Sequence, residues 1–104
     1  MIQNSITKTQ AYAAAMSFIE ETYKLDVEEI YDHIKKAANN GKFYCRYYIF
    51  DDTKTHSLTY YFKNQGYSCN DNYDYKKDEN NKVIHNEDGI PIKDRIWIDI
   101  FWSL

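Results

Sequence analysis

Eight of the eleven tyrosines in this 104-residue chain fall between Tyr44 and Tyr75, and the sequence where they begin alternates as a β-strand does. Over Lys42–Phe50, KFYCRYYIF, the side chains of Phe43, Cys45, Tyr47 and Ile49 point one way and those of Tyr44, Arg46, Tyr48 and Phe50 the other. A helix would scatter these residues around its circumference, so the segment reads as a strand with two aromatic faces, of which a small domain can bury one. Tyrosine joins a flat apolar ring to a hydroxyl at its tip, which suits the other face to a half-wet core, a protein interface or a stacked base.

The closing segment Arg95–Trp102 repeats the pattern. Ile96, Ile98, Ile100 and Trp102 form an unbroken apolar face, assigned here to the core, and Arg95, Trp97, Asp99 and Phe101 form the opposite one. If the two strands are neighbours, Tyr44, Arg46, Tyr48, Trp97 and Phe101 converge into one patch where aromatics alternate with a charge pair. Such a patch is expected to bind a partner or ligand, since arginine interleaved with aromatic rings supplies anchors for a protein surface or a stacked base. The plainer reading is a solvated sheet face stiffened by cross-strand aromatic pairs.

Helical signals flank the first strand. Thr7 and Gln10 stand in capping-box spacing at the head of a helix expected over Thr7–Lys24. From Ala11 to Ile19 every residue except Ser17 is apolar, so this helix lacks a clean polar face and wants cover on most sides. Self-association through Ala11, Ala14, Ala15 and Phe18 is the expectation. A second helix is read over Val27–Asn39 with Asp26 as N-cap, Glu29 three residues on, and Asn39, Asn40 and Gly41 as the stop. Lys54–Gln65 reads as a short helix behind the capping cluster Asp51–Thr53, with Leu58, Tyr61 and Phe62 at helical spacing, Gly66 as the stop and Tyr67 packing back on Phe62; the β preference of Thr, Tyr and Phe leaves a strand as the competing reading. Strands are expected over Tyr67–Tyr75 and Arg95–Trp102, with a weak one at Lys82–His85 between turns at residues 79–81 and 87–89. Asn70–Asn81 is polar enough to be a loop or a frayed hairpin arm. The order α-α-β-α-β-β-β implies an α+β fold: two N-terminal helices and a short third helix on one face of a small mixed, mainly antiparallel sheet.

The length fits a single domain over residues 1–104 and leaves little apolar material for a deep catalytic cleft. A net charge of −3, from 13 basic and 16 acidic residues, gives no footprint for duplex nucleic acid, which is disfavoured as a partner. Cys45 and Cys69 form no CxxC pair, and the opening MIQNSITKTQ lacks a basic stretch followed by an apolar one, so a reduced, cytoplasmic setting is expected. The longest apolar run, Ala11–Met16, is far below the roughly 20 residues of a membrane span.

Catalytic and metal-binding patterns are weak, and no catalytic residue, metal ligand or cofactor is assigned. Cys45 has core parity, while Cys69, beside the polar stretch, is expected to be the more accessible thiol. His33, His56 and His85 form no HxH or HxxxH pair. Asn70, Asn72 and Asp74 alternate like calcium ligands, but Tyr75 stands where that loop needs glycine. The RNA-recognition signature fails in GKFYCRYYIF, which lacks the glycines that signature places beside its basic and aromatic residues.

The stretches IKKAANNGKFYCRYYIF, LTYYFKNQGY and IWIDIFW together resemble a layout common among small uncharacterised proteins of bacteriophages: a helix ending in AxxxG, a strand, a short helix ending in GY, and a last strand with a terminal Trp. The resemblance covers Ile34–Trp102 and carries no catalytic residues. It implies either a virion or assembly part, or a protein of the host cytoplasm that binds a host factor or sequesters a defence signal molecule. The leading expectation is a non-enzymatic homo-oligomer that inhibits a host defence protein. The alternatives are a nucleotide-binding protein in which Arg46, Lys42 or Arg95 meets phosphate, and a minor virion or assembly protein.

Overall fold

A computed structural model of the chain describes residues 5–104; residues 1–4, which open the stretch read for a leader, lie outside the described residues. The element order is α1 (Lys8–Thr22), α2 (Lys24–Asn39), β1 (Tyr44–Ile49), α3 (Asp52–Asn64), β2 (Ser68–Tyr75) and β3 (Lys93–Phe101). This is an α+β fold whose described strands form one sheet in the order β1-β3-β2. Both ladders are antiparallel. The helix between β1 and β2 does make those two strands run the same way, but β3 inserts between them, so the mixed sheet of the expectation has no parallel pair.

Local chemistry explains the element ends. The Thr7 hydroxyl accepts from Gln10 N at 3.1 Å while Thr7 N donates to Gln10 Oε1 at 3.0 Å, closing the capping box. Residues 54–65, which admitted a helix or a strand, lie in helix α3 up to Asn64, with Gln65 as its cap. Asp51 caps α3 by accepting from Thr53 N at 2.9 Å. At the far end Gly66 adopts φ 99°, Gly66 N donates to Lys63 O and Tyr67 N to Phe62 O, both at 3.1 Å, and the Tyr67 ring packs 6.0 Å from that of Phe62. These are the bonds of a Schellman motif, where a glycine without Cβ takes the left-handed turn that satisfies two orphan carbonyls.

The start of α2 departs from expectation. The chain turns at Tyr23, which provides no side-chain cap, so Asp26 lies inside the first turn and is not the N-cap. Its carboxylate and that of Glu29 instead take the Tyr47 hydroxyl, at 2.9 and 2.7 Å, and Lys54 Nζ lies 3.1 Å from Asp26. One phenolic proton serves two acceptors there. Burial first, and then the two carboxylates, hold Tyr47 well above the usual tyrosine range.

The core lies between the sheet and the helices. Ile30, Leu58, Phe62, Ile98 and Ile100 are fully buried, and Cys45, Tyr47, Ile49 and Cys69 complete the wall. Of β2, only Cys69 is buried. Beyond Tyr75 the chain runs out into an arm over residues 76–92, where Ile84 N donates to Lys76 O and Ile92 N to Ile84 O. The expected strand Lys82–His85 makes only two isolated bridges, at Val83 and His85, while its flanking turns stand as read, with Asn81 and Gly89 at positive φ. The strand expected over Tyr67–Tyr75 stands as β2, so of the polar stretch Asn70–Asn81 only the part beyond Tyr75 lies outside a strand.

Candidate interaction surface

Because the helices occupy one side of the sheet, the alternate residues of β1 and β3 face outward. The ladder sets Tyr44 opposite Phe101, Arg46 opposite Asp99 and Tyr48 opposite Trp97. The five residues singled out in the sequence therefore lie on one face. Tyr44 stacks on Phe101 with centroids 5.9 Å apart and planes 27° apart, and Tyr48 meets Trp97 at 5.9 Å and 60°. Between the two aromatic pairs the Arg46 guanidinium lies 4.7 Å from the centre of the Trp97 ring, within cation–π range.

Asp99 organises this face. Arg46 Nε donates to its Oδ1 at 2.8 Å and Nη2 to its Oδ2 at 3.3 Å, while Asn72 Nδ2 and Trp97 Nε1 each donate to Oδ2 at 3.3 Å. The carboxylate is buried, and its donors come from all three strands, which fixes the rotamers of Arg46 and Trp97 before any partner arrives. The bond to Asp99 raises the Arg46 pKa further, so the guanidinium stays charged but is neutralised where it stands. Sequence parity placed Asp99 on this face; the role of Asn72 needs the β2–β3 register, which no local pattern shows.

What remains open is aromatic. Tyr44 and Tyr48 are about half exposed, and Phe50, which shares their parity at the end of β1, is fully exposed. Beside Phe50, β3 outruns β1, leaving a notch of about 540 Å³ lined by Tyr48, Ile49, Phe50, Lys93, Asp94, Arg95 and Ile96. The cations at its rim are already paired: Arg95 Nη2 lies 2.7 Å from Asp74 Oδ2 and Lys93 Nζ 2.8 Å from Asp52 Oδ2.

The other candidate chemistries are placed apart. Cys45 and Cys69 both stand opposite Ile100, on either side of β3. That puts them two ladder spacings, roughly 10 Å, apart, beyond the reach of about 7 Å between Cα atoms that a disulfide allows. Cys69, expected to be the accessible thiol, is 3% exposed against 8% for Cys45; the register turns it under the helices before β2 reaches its polar end. Burial pushes both thiols up to about 11, which leaves little thiolate at neutral pH. His33 packs edge-on to Tyr47 at 5.5 Å, and His56 and His85 are exposed. Among the described residues no group of three His, Cys, Asp or Glu side chains is placed to hold a metal ion, and no described helix is long and apolar enough to cross a membrane.

The oligomer residues of the sequence reading lie on α1, which rests mainly on α2 and α3. Met16 and Ile19 are buried, whereas Ala11, Ala14, Ala15 and Phe18 all face solvent, Phe18 at 62% exposure.

Comparison of the chain with protein-family models, with curated proteins and with solved structures finds no match.

Proposed function

We propose that this chain is a non-enzymatic protein that acts by binding, as an oligomeric inhibitor of a host defence protein during bacteriophage infection. The observation that carries the reading is the outward sheet face, where two aromatic pairs flank an Arg46–Asp99 pair already closed upon itself. A guanidinium held bidentate by a carboxylate has its charge offset where it stands, so rigid rings with a neutral polar centre favour a protein partner over a nucleic acid. The rings are also prearranged, which lowers the entropy lost on docking.

The test is expression of the chain in bacteria whose defence system blocks a phage, with plaque formation as the readout. Tyr48→Ala and Trp97→Ala proteins with unchanged thermal midpoints are expected to lose the rescue. Measured against an identified partner, Tyr48→Ala should weaken binding by roughly 2 kcal/mol or more, as anchors in desolvated centres do. Undiminished rescue by folded Tyr48→Ala and Arg46→Ala proteins removes the patch. Loss of rescue in His85→Ala or Cys69→Ser alone points to catalysis or a metal instead.

The notch beside Phe50 supports a second reading, a small-molecule or nucleotide-signal binder, because about 540 Å³ falls in the usual range for ligand sites. Native mass spectrometry of purified protein separates the two: a retained ligand mass favours the second reading, and its absence with an intact oligomer favours the first.

A further inference from the structure

The chain exposes 8088 Å², whereas the usual scaling of surface with mass gives about 6,200 Å² for a 12.5 kDa monomer. Its radius of gyration, 17.5 Å, likewise exceeds the ~13 Å of a compact domain of this length. The excess of roughly 1,900 Å² is more than the ~800 Å² that each partner buries in a standard interface. The arm over residues 76–92 and α1 are the segments most exposed along their length. The arm carries Lys76, Lys77, Asp78, Glu79 and Lys82, which water solvates, and its exposed large apolar side chains are Ile84 and Ile90, six positions apart. Between Lys8 and Glu20, α1 has no charged residue, and its uncovered side is apolar.

We propose that α1 packs antiparallel on α1 of a second copy of this chain, across a two-fold axis passing between Ala14 and Ala15. The proposal rests on the oligomeric part of the function above and gives that oligomer a symmetry and an interface. Ala11, Ala14, Ala15 and Phe18 recur at the i, i+3, i+4, i+7 spacing of one helix stripe, which flanks the buried Met16 and Ile19 and is itself exposed. In the antiparallel register Ala14 meets the partner's Ala15 at the closest approach, and Phe18 fills the space left by the partner's Ala11. Large faces small twice, as an isologous interface requires.

The charges at the helix ends argue for the same direction. Lys8 opens α1 and Glu20 and Glu21 close it, with no acidic residue in the first turn and no basic one in the last. Each charge therefore opposes the helix's own macrodipole. An antiparallel copy brings the partner's acidic, dipole-negative end beside the Lys8 end, and the reverse at the other end of the pair. A parallel copy would set like beside like.

The test uses the full chain. Sedimentation at micromolar concentration is expected to give twice the chain mass. Ala14→Glu and Phe18→Glu should return the mass to that of one chain, with circular dichroism and thermal midpoint retained, because both positions are exposed within the single chain. Single cysteines then read the direction under mild oxidation, with both native thiols buried. Ala14→Cys is expected to cross-link to itself. Phe18→Cys is expected not to, because antiparallel copies set its two sites about 10 Å apart along the axis, while a mixture of Ala11→Cys and Phe18→Cys chains should cross-link. A monomeric wild type, a dimer indifferent to both glutamates, or self-cross-linking at position 18 as readily as at 14 overturns the proposal. Tyr48→Ala is expected to remain dimeric, so failure of the patch and failure of the dimer are separate results.

Discussion

Trp97 and Ile98 are consecutive residues of β3, yet Ile98 is fully buried while Trp97 stays partly open to solvent among half-exposed tyrosines. The inward face, carrying Cys45, Tyr47, Ile49, Cys69, Ile98 and Ile100, is closed by α2 and α3. The outward face has none of the described helices over it and holds its rings in place by pairing them and by tying Arg46 to Asp99. One face therefore contributes stability through burial, the other rigidity with its tyrosines left half exposed. A strand periodicity of two lets mutation address them separately.

The largest effect belongs to the inward face. Ile98→Ala, at a fully buried site, is expected to lower unfolding free energy by about 2–5 kcal/mol, read by denaturant titration. Tyr48→Ala, at 47% exposure, should cost less than about 1 kcal/mol of stability while abolishing the proposed partner binding. Equal losses of stability from the two would mean that the outward face is a second core and not a prepared surface.

The thiols come next and sharpen the same contrast through pH. Both hold their protons more tightly in the folded chain, pushed from an ordinary 9.0 up to about 11 by burial. A group whose folded pKa is raised stabilises the fold fully below its unfolded pKa, and that contribution is lost as pH climbs from about 9 through about 11. The expected loss is at most about 3 kcal/mol per thiol, and a Cys45→Ala, Cys69→Ala double variant should flatten the decline in that window. At pH 8 both native thiols should label slowly. Rapid labelling of Cys69 alone would show that its side of the sheet is open.

Much of this contrast was legible in the sequence, because it rests on short-range rules. Parity sorted Tyr44, Arg46, Tyr48, Trp97 and Phe101 to one face, and their convergence needed only the adjacency of β1 and β3. The Thr7–Gln10 box and the Gly66–Tyr67 stop are likewise local, and the start of α1 and the stop of α3 fall where they were read. The misreadings come from partners distant in the chain. Asp26 has N-cap spacing to Glu29, but Tyr47, some 20 residues on, takes both carboxylates, and the helix starts earlier without a cap. Cys69 has polar neighbours in sequence, yet its burial is decided by Ile100, and Ile100 faces it only because β3 inserts between β1 and β2. Strand order is a property of the whole chain, and no window of ten residues contains it.

The smallest expected effect tests whether the inward face is as dry as its burial implies. Thr55, on the core side of α3, is 2% exposed, and its Oγ1 has no hydrogen-bond partner among the described residues, although its carbonyl accepts from the Thr59 hydroxyl at 2.8 Å. A buried hydroxyl without a partner carries its desolvation cost uncompensated. Thr55→Val keeps the branched shape and differs little in helix preference, so it should raise unfolding free energy by about 1 kcal/mol, measured beside the wild type in the same denaturant. A loss of similar size would mean that a water bonds the hydroxyl, and the distinction between a sealed and an open face would then hold for the strands but not for the helices that cover them.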